Sequence, residues 1–147
     1  MTTREAYDFL NSVRRTEIAI LKLQLQHDEL QSCLLPKAIT YDGDEVQTTP
    51  EDRMSEIAAQ VADMEKQIVA LKRRKAKLII EINAAIAKLD SDVEQMILLG
   101  FYVGRLPAVR VAELIHYSIP GLYKAKRRAV AHLAEKCTQS IGHLDLN

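Results

Sequence analysis

"MSEIAAQVADMEKQIVALKRRKAKLIIEINAAIAKL", Met54 to Leu89, decides the fold. Met54, Ile57, Val61, Met64, Ile68, Leu71, Lys75, Leu78, Ile82, Ala85 and Leu89 recur at alternating steps of three and four, the spacing that lines one edge of a helix. The helix is well announced. Thr49 can cap it, Pro50 suits its first position, and Glu51 and Asp52 favour the positive end of its dipole. From Thr49 to Leu89 it would run roughly 60 Å at about 1.5 Å per residue, and an apolar edge of that length needs a partner.

The partner lies upstream. Thr3 to about Leu35 opens with Thr2 and Glu5 at capping-box spacing and ends at Pro36, which cannot continue a helix. Phe9, Val13, Thr16, Ile20, Leu23, His27, Leu30 and Leu34 form a matching seam. Two long helices of similar length with matching seams predict an antiparallel helical hairpin. Ile18, Leu21 and Leu25 form a second apolar edge, and Ile79 and Ile80 lie off the main seam, so two hairpins are expected to associate as a homodimer. Ile20, Leu23, Ile57, Val61, Ile68 and Leu71 are the seam residues expected to carry dimerisation. Lys75 is a polar seam residue of the kind that selects register or oligomeric state. The basic run "LKRRKAKL", Leu71–Leu78, reads as a solvated helix surface. "KAITYDGDEVQTTP", Lys37–Pro50, is the one long irregular stretch, with a turn signal at Asp42-Gly43, and is expected to be the most mobile part of the stalk.

Composition agrees with helices. Of 147 residues 48% are hydrophobic but only 5% aromatic, and glycine and proline are scarce, which disfavours a β-sandwich. Twenty basic residues balance twenty acidic ones, so bulk charge names no partner. The distribution is more informative. Phe101–Lys136 holds seven Lys or Arg against Glu113 and Glu135, an excess of five positive charges.

In that region Ser91 and Glu94 repeat the capping-box spacing, a turn is expected at Gly104, and a short helix from Pro107 to Ile115 would face inward with Val111, Ala112 and Ile115. His116 would take the tight-turn position that usually wants glycine. Ser118 can cap the last helix and Pro120 sits in its first turn. Leu122, Ala125 or Lys126, Ala129, Val130 and Leu133 would supply its inner face. Short helices joined by a tight turn before a basic, capped helix read as a helix-turn-helix, whose second helix enters the major groove of double-stranded DNA. Ser118, Tyr123, Lys124, Lys126, Arg127 and Arg128 are the candidate DNA-binding residues, with Tyr123, Lys124 and Arg127 near bases and Lys126 and Arg128 near the backbone.

The chemistry of enzymes is not legible. There is no Ser/His/Asp order, glycine-rich phosphate loop or paired carboxylate, so no catalytic residue, cofactor or metal is expected. His27, His116, His132 and His143 match no ligand pattern, and Cys33 and Cys137 lack zinc spacing and read as reduced thiols. No apolar run reaches membrane-span length and the start is not a signal peptide, which predicts a cytoplasmic protein with no membrane partner.

"LDSDVEQMILLGFYVGRLPAVRVAELIHYSIPGLYKAKRRAVAHL", Leu89–Leu133, resembles region four of bacterial sigma factors. Tyr102, Leu106, Val111-Ala112-Glu113, Ser118, Leu122 and Arg128-Ala129-Val130 fall at that pattern's aromatic, apolar and basic positions. Pro107 stands in place of a polar cap, Gly104 one residue early and His116 in place of the turn glycine. With the coiled first part, the chain is similar to phage and prophage regulators of late transcription of the RinA and ArpU type. The resemblance implies a sequence-specific regulator in a bacterial host cell, with RNA polymerase as a further contact. Two alternatives stand beside it: a recognition subunit for phage DNA packaging, like a small terminase, and a coiled-coil adaptor that binds protein. The expected division is a stalk over 1–89, a DNA-binding head over 90–137 and a tail over 138–147.

Overall fold

A computed structural model describes residues 1–34 and 50–144, and among these residues there are helices and no strands. The irregular stretch expected at Lys37–Pro50 lies, but for Pro50 itself, outside the described residues. Five α-helices follow one another: α1 (Thr3–Ser32), α2 (Pro50–Ile86), α3 (Asp92–Leu98), α4 (Ala108–Ile115) and α5 (Ile119–Leu144). The long antiparallel hairpin is α1 with α2.

Local chemistry sets the boundaries. At the start of α1 the Thr2 amide donates to Glu5 Oε2 at 2.7 Å and the Glu5 amide donates to Thr2 Oγ1 at 3.2 Å, so two end amides are satisfied reciprocally. α2 begins at Pro50, with Glu51 and Asp52 in its first turn. It stops at Ile86, three residues short of the seam's last member. Ser91 starts α3 by accepting from the Glu94 amide at 3.3 Å. After Leu98 the helix widens into a π turn, Leu99–Val103, closed by Gly104 N–H to the Leu99 carbonyl at 2.8 Å.

Packing divides the chain into two compact units that differ from the expected stalk and head. The hairpin unit is Thr16–Arg74. The head unit joins Met1–Arg15 to Lys75–Asn147, so the boundary expected between residues 89 and 90 is corrected: both far ends of the stalk helices belong to the head. The reason is a shared core. Ala6, Leu10 and Val13 of α1 and Ile82, Ala85 and Ile86 at the end of α2 are buried in one cluster with Ala129, Val130, Leu133 and Ala134 of α5. The expected tail is corrected too, since α5 continues to Leu144, and its Thr138 hydroxyl accepts from the Met1 ammonium at 2.6 Å.

In the hairpin unit the predicted seam is the buried line except at its start, where Met54 is exposed. Thr16, Ile20, Val61 and Ile68 are buried, and Leu23, Ile57, Met64 and Leu71 are half-buried. His27 sits on the same line, its imidazole hydrogen-bonded through Nε2 to Glu65 and through Nδ1 to Asp28, each at 3.0 Å. The six residues expected to carry dimerisation are therefore used inside one chain. Ile18, Leu21 and Leu25, which are 56%, 59% and 73% exposed, form the bare edge.

Candidate nucleic-acid interface

A second, smaller core builds the helix-turn-helix. Ile97 of α3, Val111 and Ala112 of α4, and Leu122 and Ala125 of α5 are buried together, with Phe101, Leu106, Ala108 and Ile115 packed around them. Gly100 permits the close crossing. A Cβ there would lie 3.0 Å from Val111 Cγ2, so only hydrogen fits without displacing a fully buried valine.

The turn between α4 and α5 is the predicted one. His116 adopts the left-handed conformation at φ 58° and ψ 44°. Around it the Tyr117 amide donates to the Ala112 carbonyl at 2.9 Å and the His116 amide to the Glu113 carbonyl at 3.4 Å. These are the two backward bonds of a Schellman ending, and they satisfy carbonyls at the end of α4. α5 then starts at once: Ser118 Oγ accepts from the Gly121 amide at 3.2 Å. Ser118 is thus occupied as a cap, a role that orients the helix. The turn expected at Gly104 takes a different form, because Gly104 is right-handed (φ −77°) and Arg105 is the left-handed residue at φ 51°. A non-glycine residue there costs about 1–2 kcal/mol.

The candidate residues divide once they are placed. Lys124, Arg127 and Arg128 are exposed on α5 away from the core, and among the described residues no acidic side chain pairs with them. Tyr123 is exposed beside them, its ring 6.3 Å from that of Phe101. Lys126 turns the other way. Its Nζ lies 4.4 Å from the Phe101 ring centre, 5.3 Å from that of Tyr102 and 6.0 Å from that of Tyr123, and burial pushes its ammonium pKa down. Placing it with Arg128 on the outward face is corrected, because the helical turn carries it toward the π turn's aromatic side chains. Two other cations of the excess are held by acids: Arg110 by Glu113 at 3.5 Å and Lys136 by Asp90 at 3.0 Å.

Tyr117 and Ile119, on either side of the cap, are exposed and were not among the candidates. A readable signal was present: both fall outside the inner-face spacing of α5 although apolar or aromatic. They add groups able to meet thymine methyls beside the cations. Comparison of the chain with family models, with curated proteins and with solved structures gives no match. No described helix is long and apolar enough to cross a membrane.

Proposed function

We propose that α4 and α5 form a DNA-binding helix-turn-helix and that the protein is a sequence-specific transcription regulator of the phage or prophage kind, acting as a homodimer in a bacterial cytoplasm. One observation carries the reading: a capped helix, set off by a tight turn, presents Lys124, Arg127 and Arg128 outward, without acidic partners among the described residues, beside an exposed Tyr123. In the major groove, Lys and Arg donate to guanine O6 and N7, and cations beyond the bases neutralise phosphates. The bare edge at Ile18, Leu21 and Leu25 supports self-association, because burial of each such side chain contributes roughly 1.5–3 kcal/mol.

The test is binding to genomic fragments from host and phage, with salt dependence measured on a selected site. Arg127→Ala should weaken the selected site by about 1–3 kcal/mol and relax preference at one base position. Replacing Lys124, Arg127 and Arg128 together should abolish binding while far-ultraviolet circular dichroism stays unchanged. Wild-type affinity and salt slope in that triple variant would leave α5 a solvated surface and favour a protein-binding adaptor. Mass in solution separates the remaining readings, since a dimer fits regulation and a ring of many copies fits DNA packaging.

A further inference from the structure

The bare edge of α1 carries charge at both of its ends, and the order of that charge decides how a second copy can lie on it. Ile18, Leu21 and Leu25 recur at steps of three and four, as the seam does, but Ile18 lies two residues from the buried Ile20, about 200° around the helix. The edge therefore runs along the side of α1 that the seam leaves open. Carried one step further each way at the same spacing, it reaches Arg14 before Ile18 and Asp28 after Leu25. A flanking row on the same helix adds Arg15, Lys22 and Glu29. All of these side chains are exposed. The edge is thus a cation, three apolar residues and an anion in succession, over about 21 Å of one helix.

That order complements itself in one direction only. With a second α1 laid parallel, Arg14 and Arg15 would face the same arginines and Asp28 and Glu29 the same carboxylates, so both ends would repel. Laid antiparallel about a two-fold axis near Leu21, the helices match: Ile18 meets the partner's Leu25, Arg14 the partner's Asp28 and Arg15 the partner's Glu29. All three pairings have their midpoint between positions 21 and 22, so one axis serves them together. Lys22 then comes near its own copy, and its long stem lets the ammonium stay in water. Contacts within the chain leave the ends available. Arg14 and Glu29 engage no charged side chain among the described residues. Arg15 and Asp28 meet Asp8 and His27 while keeping 61% and 74% of their side chains exposed.

We propose that the occupant of this edge is a second copy of the chain, and that the two α1 helices pair antiparallel about a two-fold axis near Leu21. The proposal rests on the homodimer of the proposed function and adds its surface and its direction. Apolar burial supplies the attraction and the charged ends select the direction. A two-fold contact uses the same patch on both copies and so closes at two. Three apolar side chains per copy make a small patch beside the roughly 800 Å² that each partner buries in a standard stable complex, so the pairing is reversible and its charged ends weigh heavily.

Sedimentation of the full chain over a range of concentrations tests it. Arg14→Glu with Arg15→Glu, or Asp28→Lys with Glu29→Lys, turns every end pair of the antiparallel dimer into like charges. Either double variant should raise the dissociation constant at least about tenfold at low salt. All four substitutions in one chain restore opposite charges and should bring the affinity back. Direction is checked separately by cysteine pairing in a chain carrying Cys33→Ser and Cys137→Ser. Chains with Ile18→Cys and with Leu25→Cys should become disulfide-linked when mixed and oxidised, and much less so when each is oxidised alone. Circular dichroism of wild-type strength in each variant shows that the helices persist. A dimer whose affinity ignores both double variants, or whose Ile18→Cys links to itself as readily as to Leu25→Cys, overturns the antiparallel edge and leaves homodimerisation standing. A wild-type chain that stays monomeric at every concentration overturns this pairing and the homodimer together, and leaves DNA binding to its own test.

Discussion

The head unit and the hairpin unit share the two long helices, yet they bury their apolar residues differently. In the head, α1, the end of α2, α3 and α5 meet, and Leu10, Ile82, Ile97, Leu98, Leu122 and Leu133 are all but sealed from water. In the hairpin unit two helices share a single line of contact, its best-buried members Ile20, Val61 and Ile68 each keep a little exposure, and Ile18, Leu21 and Leu25 beside it stay largely open. A helix has one stripe to bury against each neighbour, so a core with several neighbours encloses side chains that a two-helix seam only shields. The head therefore seals its apolar side chains within itself, while the hairpin gains most from a further partner.

The largest effects should come from the head. Leu133→Ala, in the shared core, should lower unfolding free energy by about 2–5 kcal/mol in chemical denaturation. Ile68→Ala, on the seam, should cost clearly less, because a shielded site can refill with water or collapse. Equal losses would show that the seam is as tight as the core and would erase the distinction.

Gly100 sharpens the picture of the head at smaller amplitude. Gly100→Ala forces Val111, whose β-branched side chain has little rotamer freedom, to move. Overpacking of this kind costs about 1–3 kcal/mol, against which alanine gains roughly 1 kcal/mol over glycine in a helix. A net loss of at most about 2 kcal/mol is expected, and Val111→Ala introduced into the Gly100→Ala chain should cost less than it does alone. Additive losses in that pair would mean the crossing is looser than the 3.0 Å approach implies.

Leu21→Glu probes the hairpin's open edge. Since Leu21 is already largely in water, the substitution should leave the helical signal of the chain unchanged. It should nevertheless shift the mass measured by light scattering from dimer to monomer. A wild-type protein already monomeric at high concentration would remove the dimer from the proposed function and leave the hairpin standing as a lone pair of helices.

Much of this was legible before the structure. The seam, the capping box at Thr2 and Glu5, the Ser91 cap, the left-handed His116 and the inner face of α5 were readable because each is a local pattern, fixed by helical period or by what one backbone conformation demands; Glu94, expected to complete a second box, bonds His132 instead. What was not legible depends on contacts distant in sequence. The far ends of α1 and α2 carry the same seam spacing as their middles, so nothing local announces that Ala6, Leu10 and Ile82 face α5 rather than only each other. The π turn at Leu99–Val103 inserts a residue within a run that is apolar throughout, which hides the phase shift. That shift presents Phe101 and Tyr102 to Lys126, and spacing alone left Ala125 and Lys126 undecided for the inner face. The structure divides the two: Ala125 is buried and Lys126 lies half-buried at its edge.

The smallest expected effect concerns His27, a polar group on the hairpin seam that links α1 to α2 through its hydrogen bond to Glu65. Its Nε2 meets Glu65 and its Nδ1 meets Asp28, and these hydrogen bonds, Glu65 first, raise its pKa above the ordinary 6.5. The sign follows from linkage. A histidine whose folded pKa exceeds its unfolded one binds its proton more tightly when folded, so its contribution is fully present below about pH 6.5 and is lost as pH rises through the raised folded value. The head has no part in this, so only the hairpin should respond. Hydrogen exchange is the suitable readout because it reports the two units separately. Between about pH 5.5 and pH 8.5, corrected for the intrinsic pH dependence of exchange, amides of residues 16–32 and 50–74 should lose protection relative to the same amides in His27→Gln, while amides around Leu133 should not. Because Glu65 and Asp28 are mostly exposed, solvent screening keeps the effect small, and about 0.5 M salt should reduce it further. An identical pH response in both proteins would mean that His27 sits on the seam as a neutral spacer, and the hairpin would then depend on its apolar line alone.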